Sequence, residues 1–144
     1  MSKMIFVNLP VADVARSVAF YEAIGMIRDP HFSNDQAAMM KWSDEISFMV
    51  LARDFYQSFI PGKPIADTHA TSAVLLAISA ESRAEVDAIC AKAAAAGGKI
   101  DVSPVDEHGW MYGRSFEDPD GHGFGPMWMD VEAAMAAQSP AQAA

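Results

Sequence analysis

Glu117 and His122 stand at the two ends of Asp118-Pro119-Asp120-Gly121, which places a carboxylate and an imidazole on either side of one tight turn. An imidazole changes charge near neutral pH, so this pair are the chain's candidate catalytic acid and base. The turn also has a purely backbone explanation. Pro119 fixes φ, Asp120 bonds its own backbone and Gly121 supplies a positive φ. On that account the imidazole of His122 bonds the turn backbone, and Glu117 is solvated at a strand end. Apolar-rich segments on both sides predict a hairpin joining two strands.

Other polar groups are scattered more thinly. Ser115 and Glu117 have the strand parity of Met111 and Gly113, while Arg114 has the opposite parity, among Trp110, Tyr112 and Phe116. A cation flanked by aromatics either stacks, pairs with a carboxylate or binds an anion. Asn8 lies on a strand with the parity of Phe6, and its amide needs partners from backbone or ligand. His69 sits beside Asp67 and Thr68 in a connection, and His31 and His108 neighbour predicted turns. None of these three has a cysteine or carboxylate at metal-ligand spacing.

The elements that must position these residues repeat. A strand over Met4 to Leu9 leads to a helix from Val14 to Ile24, with Asp13 as N-cap and Gly25 as its stop. Strand segments Met26 to Asp29, Gln36 to Trp42 and Ile46 to Ala52 follow, separated by Ser-Asn-Asp and Ser-Asp-Glu turns. The second pass opens with a strand over Ser72 to Ser79. Ser82 and Glu85 then form a capping box for a helix that Gly97-Gly98 stops. Strands Lys99 to Ser103, Trp110 to Glu117 and Gly123 to Met129 complete it. Each half is β-α-β-β-β, and one such unit cannot bury both its helix stripe and its sheet alone. The expected layout is one domain over residues 1–130, with modules at about 4–52 and 72–129 joined by the 53–71 connection. An alanine-rich tail, 131–144, carries a short helix to about Ala136 and a frayed end.

Composition narrows the function classes. Of the 144 residues, 51% are hydrophobic and 20% charged, the balance of an ordinary globular domain. A net charge of −9 disfavours a nucleic-acid surface. No apolar run reaches membrane-spanning length, and Asn8 and Pro10 come too early for a secretory signal. The single cysteine, Cys90, falls inside the second helix, which fits a buried thiol and a cytoplasmic location.

Asn8-Leu9-Pro10-Val11-Ala12-Asp13, the following Phe20-Tyr21-Glu22-Ala23-Ile24-Gly25, and the Asp-Pro-Asp-Gly-His hairpin occur in one order over Met4 to Met129. Together they resemble the vicinal oxygen chelate superfamily of glyoxalase I, extradiol dioxygenases, and fosfomycin- and bleomycin-resistance proteins. The resemblance implies an α+β fold in which two tandem β-α-β-β-β modules form a cupped mixed sheet. It also implies a homodimer, and a metal held by one side chain from each of four strands.

By that resemblance the four metal positions are Phe6, Met49, Ala73 and Gly125. None offers a donor to a divalent cation. A slip of one residue turns to the other face of the strand. A slip of two offers only Asn8, Ser47, Leu51, Leu75, Gly123 or Met127. The expectation is therefore a metal-free protein without a cofactor that binds or sequesters a largely apolar small molecule. Its cup would be lined by Phe6, Asn8, Met49, Met111, Ser115 and Met127, the methionines supplying an adaptable surface. The alternative is a metal-dependent lyase or dioxygenase of the glyoxalase kind with an unconventional site built from Glu117, His122, Asn8 or His69. A third is a pseudoenzyme acting through its dimer surface.

Overall fold

The computed structural model describes residues 2–138. The first half runs β1 (Ile5–Val11), α1 (Val14–Ala23), β2 (Ile27–Asp29), a 3-10 turn (Pro30–Phe32), β3 (Ala37–Lys41) and β4 (Ile46–Ala52). These strands form one mixed sheet in the order β1-β4-β3-β2, with β1 parallel to β4. The connection opens with a helix, α2 (Arg53–Ser58). The second half contains β5 (Leu75–Ser79), α3 (Arg83–Ala95), β6 (Lys99–Ile100), β7 (Asp106–Glu107), β8 (Met111–Gly113), β9 (Phe116–Glu117) and β10 (Gly123–Met129). Its sheet is ordered β6-β9-β10-β8-β7, with β5 running parallel beside β10. A last helix, α4 (Val131–Ala137), follows β10. The end of the expected tail lies outside the described residues.

Capping sets the two long helices. The Asp13 carboxylate accepts the Arg16 N–H at 3.1 Å, and the Ser82 hydroxyl accepts the Glu85 N–H at 3.1 Å. Glu85 reaches back to the N–H of Glu81 at 2.7 Å, one residue earlier than a regular capping box.

The strand expected over Ser72 to Ser79 begins only at Leu75, the one over Lys99 to Ser103 ends at Ile100, and β7 is an addition to the expected order. Two further differences share a reason, the placement of proline. β1 continues through Pro10 to Val11 because it pairs only with β4, leaving the missing N–H of Pro10 at an open edge. The single strand expected over Trp110 to Glu117 is instead split into β8 and β9. Register is kept on both sides (Met127 opposite Gly113, Phe124 opposite Phe116), which places Pro126 opposite Arg114. Pro126 has no N–H for the ladder there, although its carbonyl still accepts the Arg114 N–H at 3.1 Å.

The modules meet through their helix-side faces. Phe124 of β10 lies 5.7 Å from Tyr21 of α1, 5.4 Å from Phe48 of β4 and 5.0 Å from the stacked ring of Phe116. Leu9, Val11, Phe20, Met40, Val50, Ile78 and Ile89 join the same buried cluster. The other face of each sheet points away from this core. In the first module that open face carries Phe6, Asn8, Ser47, Met49 and Leu51; in the second it carries Leu75, Ala77, Glu117, Gly125 and Met127.

Candidate functional site

The hairpin proves to be a clasp between the modules. The Asp118 carboxylate accepts the N–H groups of Asp120 and His122 at 2.9 and 2.8 Å, closing the turn. Its second oxygen accepts the Tyr21 hydroxyl at 2.6 Å. Asp120 takes the N–H of Ala12 at 2.9 Å, the Arg16 guanidinium at 3.3 Å and the Ser17 hydroxyl at 3.4 Å. One carboxylate therefore shapes the hairpin while the other binds the start of α1. Burial pushes the Asp118 carboxyl above the usual carboxylate range, and burial followed by the Asp118 charge pushes the Tyr21 phenol up.

His122 belongs to this clasp. Only 3% of it is exposed, and its Nε2 lies 2.7 Å from the carbonyl of Pro10 on β1. A carbonyl only accepts, so Nε2 carries the proton. The imidazole thus bonds the backbone of the other module through Nε2, not the turn, and the residue also borders the 360 Å³ cavity that holds Glu117.

Phe6, Asn8 and Met49 come together on the first module's open face, with Asn8 beside Met49 across the β1–β4 ladder. Phe6 is 45% exposed. The Asn8 amide donates to the Phe6 carbonyl of its own strand at 3.4 Å. A 260 Å³ pocket here is lined by Asn8, Leu51, Tyr56, Phe59 and Ile60. On the same face the Ser47 hydroxyl is fully buried and has no hydrogen-bond partner among the described residues.

Met111, Ser115 and Met127 belong to the second module, as does Glu117, so the structure divides the six ligand-binding candidates equally between the modules. A 360 Å³ cavity holds Ser115 and Glu117 together with Leu75, Val102, Ser103 and residues 68–74. The Ser115 hydroxyl accepts the Ser103 N–H at 3.0 Å, so it secures a loop as well as facing the cavity. Glu117 is half-buried and makes no ion pair among the described residues. His69 borders the same cavity and is exposed. Met111 instead lines an apolar groove under α4 with Trp110, Met129 and Met135.

Arg114 is held on the helix side. It makes a two-bond contact with Asp101 at 3.0 and 2.8 Å and a further one with Asp87 of α3 at 3.0 Å. His31 lies 3.3 Å from Asp29, and His108 stacks on Trp110. Of the connection, the sequence offered only His69 to a site, yet residues 56, 59 and 60 wall one pocket and residues 68–71, His69 among them, wall the other. The available signal was the i, i+4 aromatic pair Phe55 and Phe59, whose rings sit 5.1 Å apart at the C-terminal end of α2.

The donor chemistry of the metal positions can now be tested in place. Phe6, Met49 and Gly125 lie on the open faces, and Ala73 precedes β5, which starts at Leu75. Hydrocarbon, thioether and glycine offer no adequate ligand set for a hard or borderline divalent cation, so these residues do not fit one. Among the described residues no group of three or more His, Cys, Asp or Glu side chains is arranged to hold a metal ion.

Residues 3–125 match the Glyoxalase/Bleomycin resistance protein/Dioxygenase superfamily. The chain belongs to this superfamily. Solved structures similar to it include a glyoxalase-related enzyme from Fulvimarina pelagi, with TM-score 0.74, 20% identity and coverage of 91% of each chain. A family enzyme from Burkholderia phytofirmans PsJN gives TM-score 0.73 at 16% identity, covering 89% of this chain and 99% of that one. A hypothetical protein from S. aureus gives 0.72 at 22% identity, covering 89% and 94%. Identities this low speak for the shared glyoxalase fold alone. No curated protein matches the sequence. No helix among the described residues is long and apolar enough to cross a membrane.

Proposed function

We propose that this member of the glyoxalase superfamily binds or sequesters a largely apolar small molecule without a metal, in a cleft completed by a second copy of the chain. The observation that carries the reading is the open faces themselves. At all four family metal positions the donors are missing, while Phe6 and Leu75 stand 45% and 82% exposed. Contiguous exposed apolar patches mark binding surfaces, and Met4, Ile5 and Phe6 are exposed in a row, as are Val74 and Leu75.

The homodimer is supported by the sheet edges. β1 pairs only with β4, and β5 only with β10. Met4, Ile5 and Phe6 on one edge, and Val74 and Leu75 on the other, are exposed. Edges that expose a run of apolar side chains call for a covering partner. Setting β1 of one copy beside β5 of another would join two open faces into one cleft, bringing Phe6, Asn8 and Met49 toward Glu117 and Met127 of the neighbouring copy. The buried thiol of Cys90, raised by desolvation, fits a reducing cytoplasm.

A second reading, a lyase or dioxygenase of the glyoxalase kind, would centre on Glu117, the carboxylate lining the 360 Å³ cavity. Purified protein should be analysed for metal, then given Mn²⁺, Fe²⁺, Ni²⁺ and Zn²⁺ while thermal unfolding is followed. The binding reading expects no stoichiometric metal, no Tm rise with metal, and a rise with apolar ligands. Stoichiometric metal that raises Tm would overturn it. Light scattering on a size-exclusion column should give twice the chain mass.

A further inference from the structure

The two open faces differ in chemistry. The cavity of the second module contains Glu117, His69 and several hydroxyls. The pocket beneath α2 is lined by Asn8, Leu51, Tyr56, Phe59 and Ile60, with no carboxylate, ammonium, guanidinium or imidazole. From this contrast we infer that the pocket under α2 is a binding site for a small, uncharged, planar aromatic molecule bearing one hydrogen-bonding group. The inference deepens the proposed function and rests on it, assigning the ligand class and the face that receives it.

Three observations converge on that class. First, the walls are aromatic and aliphatic. Phe59 is 65% exposed although its ring meets Phe55 edge-on at 5.1 Å, so a flat hydrophobic face is presented to solvent by a ring with a packing neighbour. Aromatic side chains favour offset or edge-on contact with another ring. Second, Asn8 supplies the convergent polar group. Its one hydrogen bond among the described residues is the 3.4 Å contact to its own strand, which leaves the amide oxygen and one N–H for a ligand carbonyl, amide or hydroxyl. Third, size sets a limit. At 260 Å³ the pocket falls below the usual range for drug-sized ligands, about 300–1,000 Å³, and suits one or two rings. Within one copy the lining carries no charge, which disfavours an ion that would lose its hydration there without gaining a counter-charge.

Helix α2 makes the site. It packs on both β1 and β4, so it holds Tyr56 and Phe59 over the strand that carries Asn8. Asn8 and Phe59 are exposed, and neither belongs to the core cluster, so replacing them should leave the fold intact.

Benzamide, phenol and toluene should be titrated into full-length protein while backbone and Asn side-chain amide signals are followed by NMR. The expected result is saturable benzamide binding that moves the signals of Asn8, Leu51 and Tyr56. Phe59→Ala should weaken benzamide and toluene alike. Asn8→Leu should weaken benzamide roughly tenfold, the cost of one lost polar partner, while sparing toluene. Benzamide binding that moves the signals around Ser103 and Glu117 but not those of Asn8 and Tyr56, or that both variants leave unchanged, would overturn the inference while leaving the proposed function standing. No saturable binding of any of the three, in a protein that other apolar ligands stabilise, would also defeat the inference alone. No response to any apolar ligand would defeat both.

Discussion

The hydroxyl of Tyr21 donates a 2.6 Å hydrogen bond to Asp118, tying α1 of the first module to the hairpin that closes the second. Both groups are buried and both ionise with difficulty there. Tyr21→Phe keeps the ring contact with Phe124 and removes only this bond. It should cost about 1–3 kcal/mol, because one Asp118 oxygen loses its partner in a dry site. Urea unfolding should show the loss in the midpoint with the slope unchanged.

Asp118 also gives stability a distinctive pH dependence. Its folded-state carboxyl titrates above the usual range, chiefly through desolvation. The folded state therefore holds this proton more tightly than the unfolded chain. That contribution is fully present below the unfolded value and is lost as pH rises through the folded one. Asp87, Asp101 and Glu107 act in the opposite sense. Hydrogen bonds from Tyr112 to Asp87, from Arg114 to Asp101 and from Arg83 to Glu107 lower them, so their stabilisation is present above the ordinary carboxylate value and lost as pH falls. Comparing wild type with Asp118→Asn isolates the buried group. As pH rises from acid toward neutrality, the difference in unfolding free energy should move in favour of the variant, and a flat difference would contradict the assignment.

Ser47→Ala should stabilise the protein. The hydroxyl is buried with no partner among the described residues, and its removal relieves a desolvation cost of about 1 kcal/mol. A rise in Tm with an unchanged heat-capacity step is the expected signature in calorimetry.

Gly121 is required twice over. Its φ is +86°, and a Cβ there would come within 2.4 Å of the Thr68 carbonyl oxygen. Thr68 in turn donates to the Asp120 carbonyl at 2.6 Å. Gly121→Ala should cost about 2 kcal/mol from the left-handed backbone alone, with the overlap in addition. Hydrogen exchange should show residues 67–71 loosening with the hairpin, since the two segments are in direct contact.

Much of this fold is legible in the sequence where the signal is local. Asp13 and Ser82 start their helices through bonds three residues long, and β4 and β10 occupy the segments that their apolar patterns mark. Signals that depend on the partner strand are harder to read. Trp110 to Glu117 looks continuous until Pro126 is placed opposite Arg114, and Asp106–Glu107 pairs with β8 despite a wholly polar composition. The site fared similarly. The parity argument places Phe6, Asn8 and Met49 on one face, and Met111, Glu117 and Met127 on another, as their registers have them. What strand parity does not give is how the two faces are turned relative to each other, or that α2 walls the first. His122 and Asp120 find their partners 112 and 108 residues away, a distance at which no spacing rule operates.

The aromatic contact of Phe124 with Tyr21 and Phe48 has a consequence for cutting the chain. Cleaved within the connection, each fragment would keep its own strands but expose half of a ring cluster that belongs to both. Neither piece would hold its shape alone, and the two would regain it only by meeting. The duplicated halves thus behave as a lock and its key, and fragments split near Gly62 would make a reassembly reporter whose signal depends on their encounter.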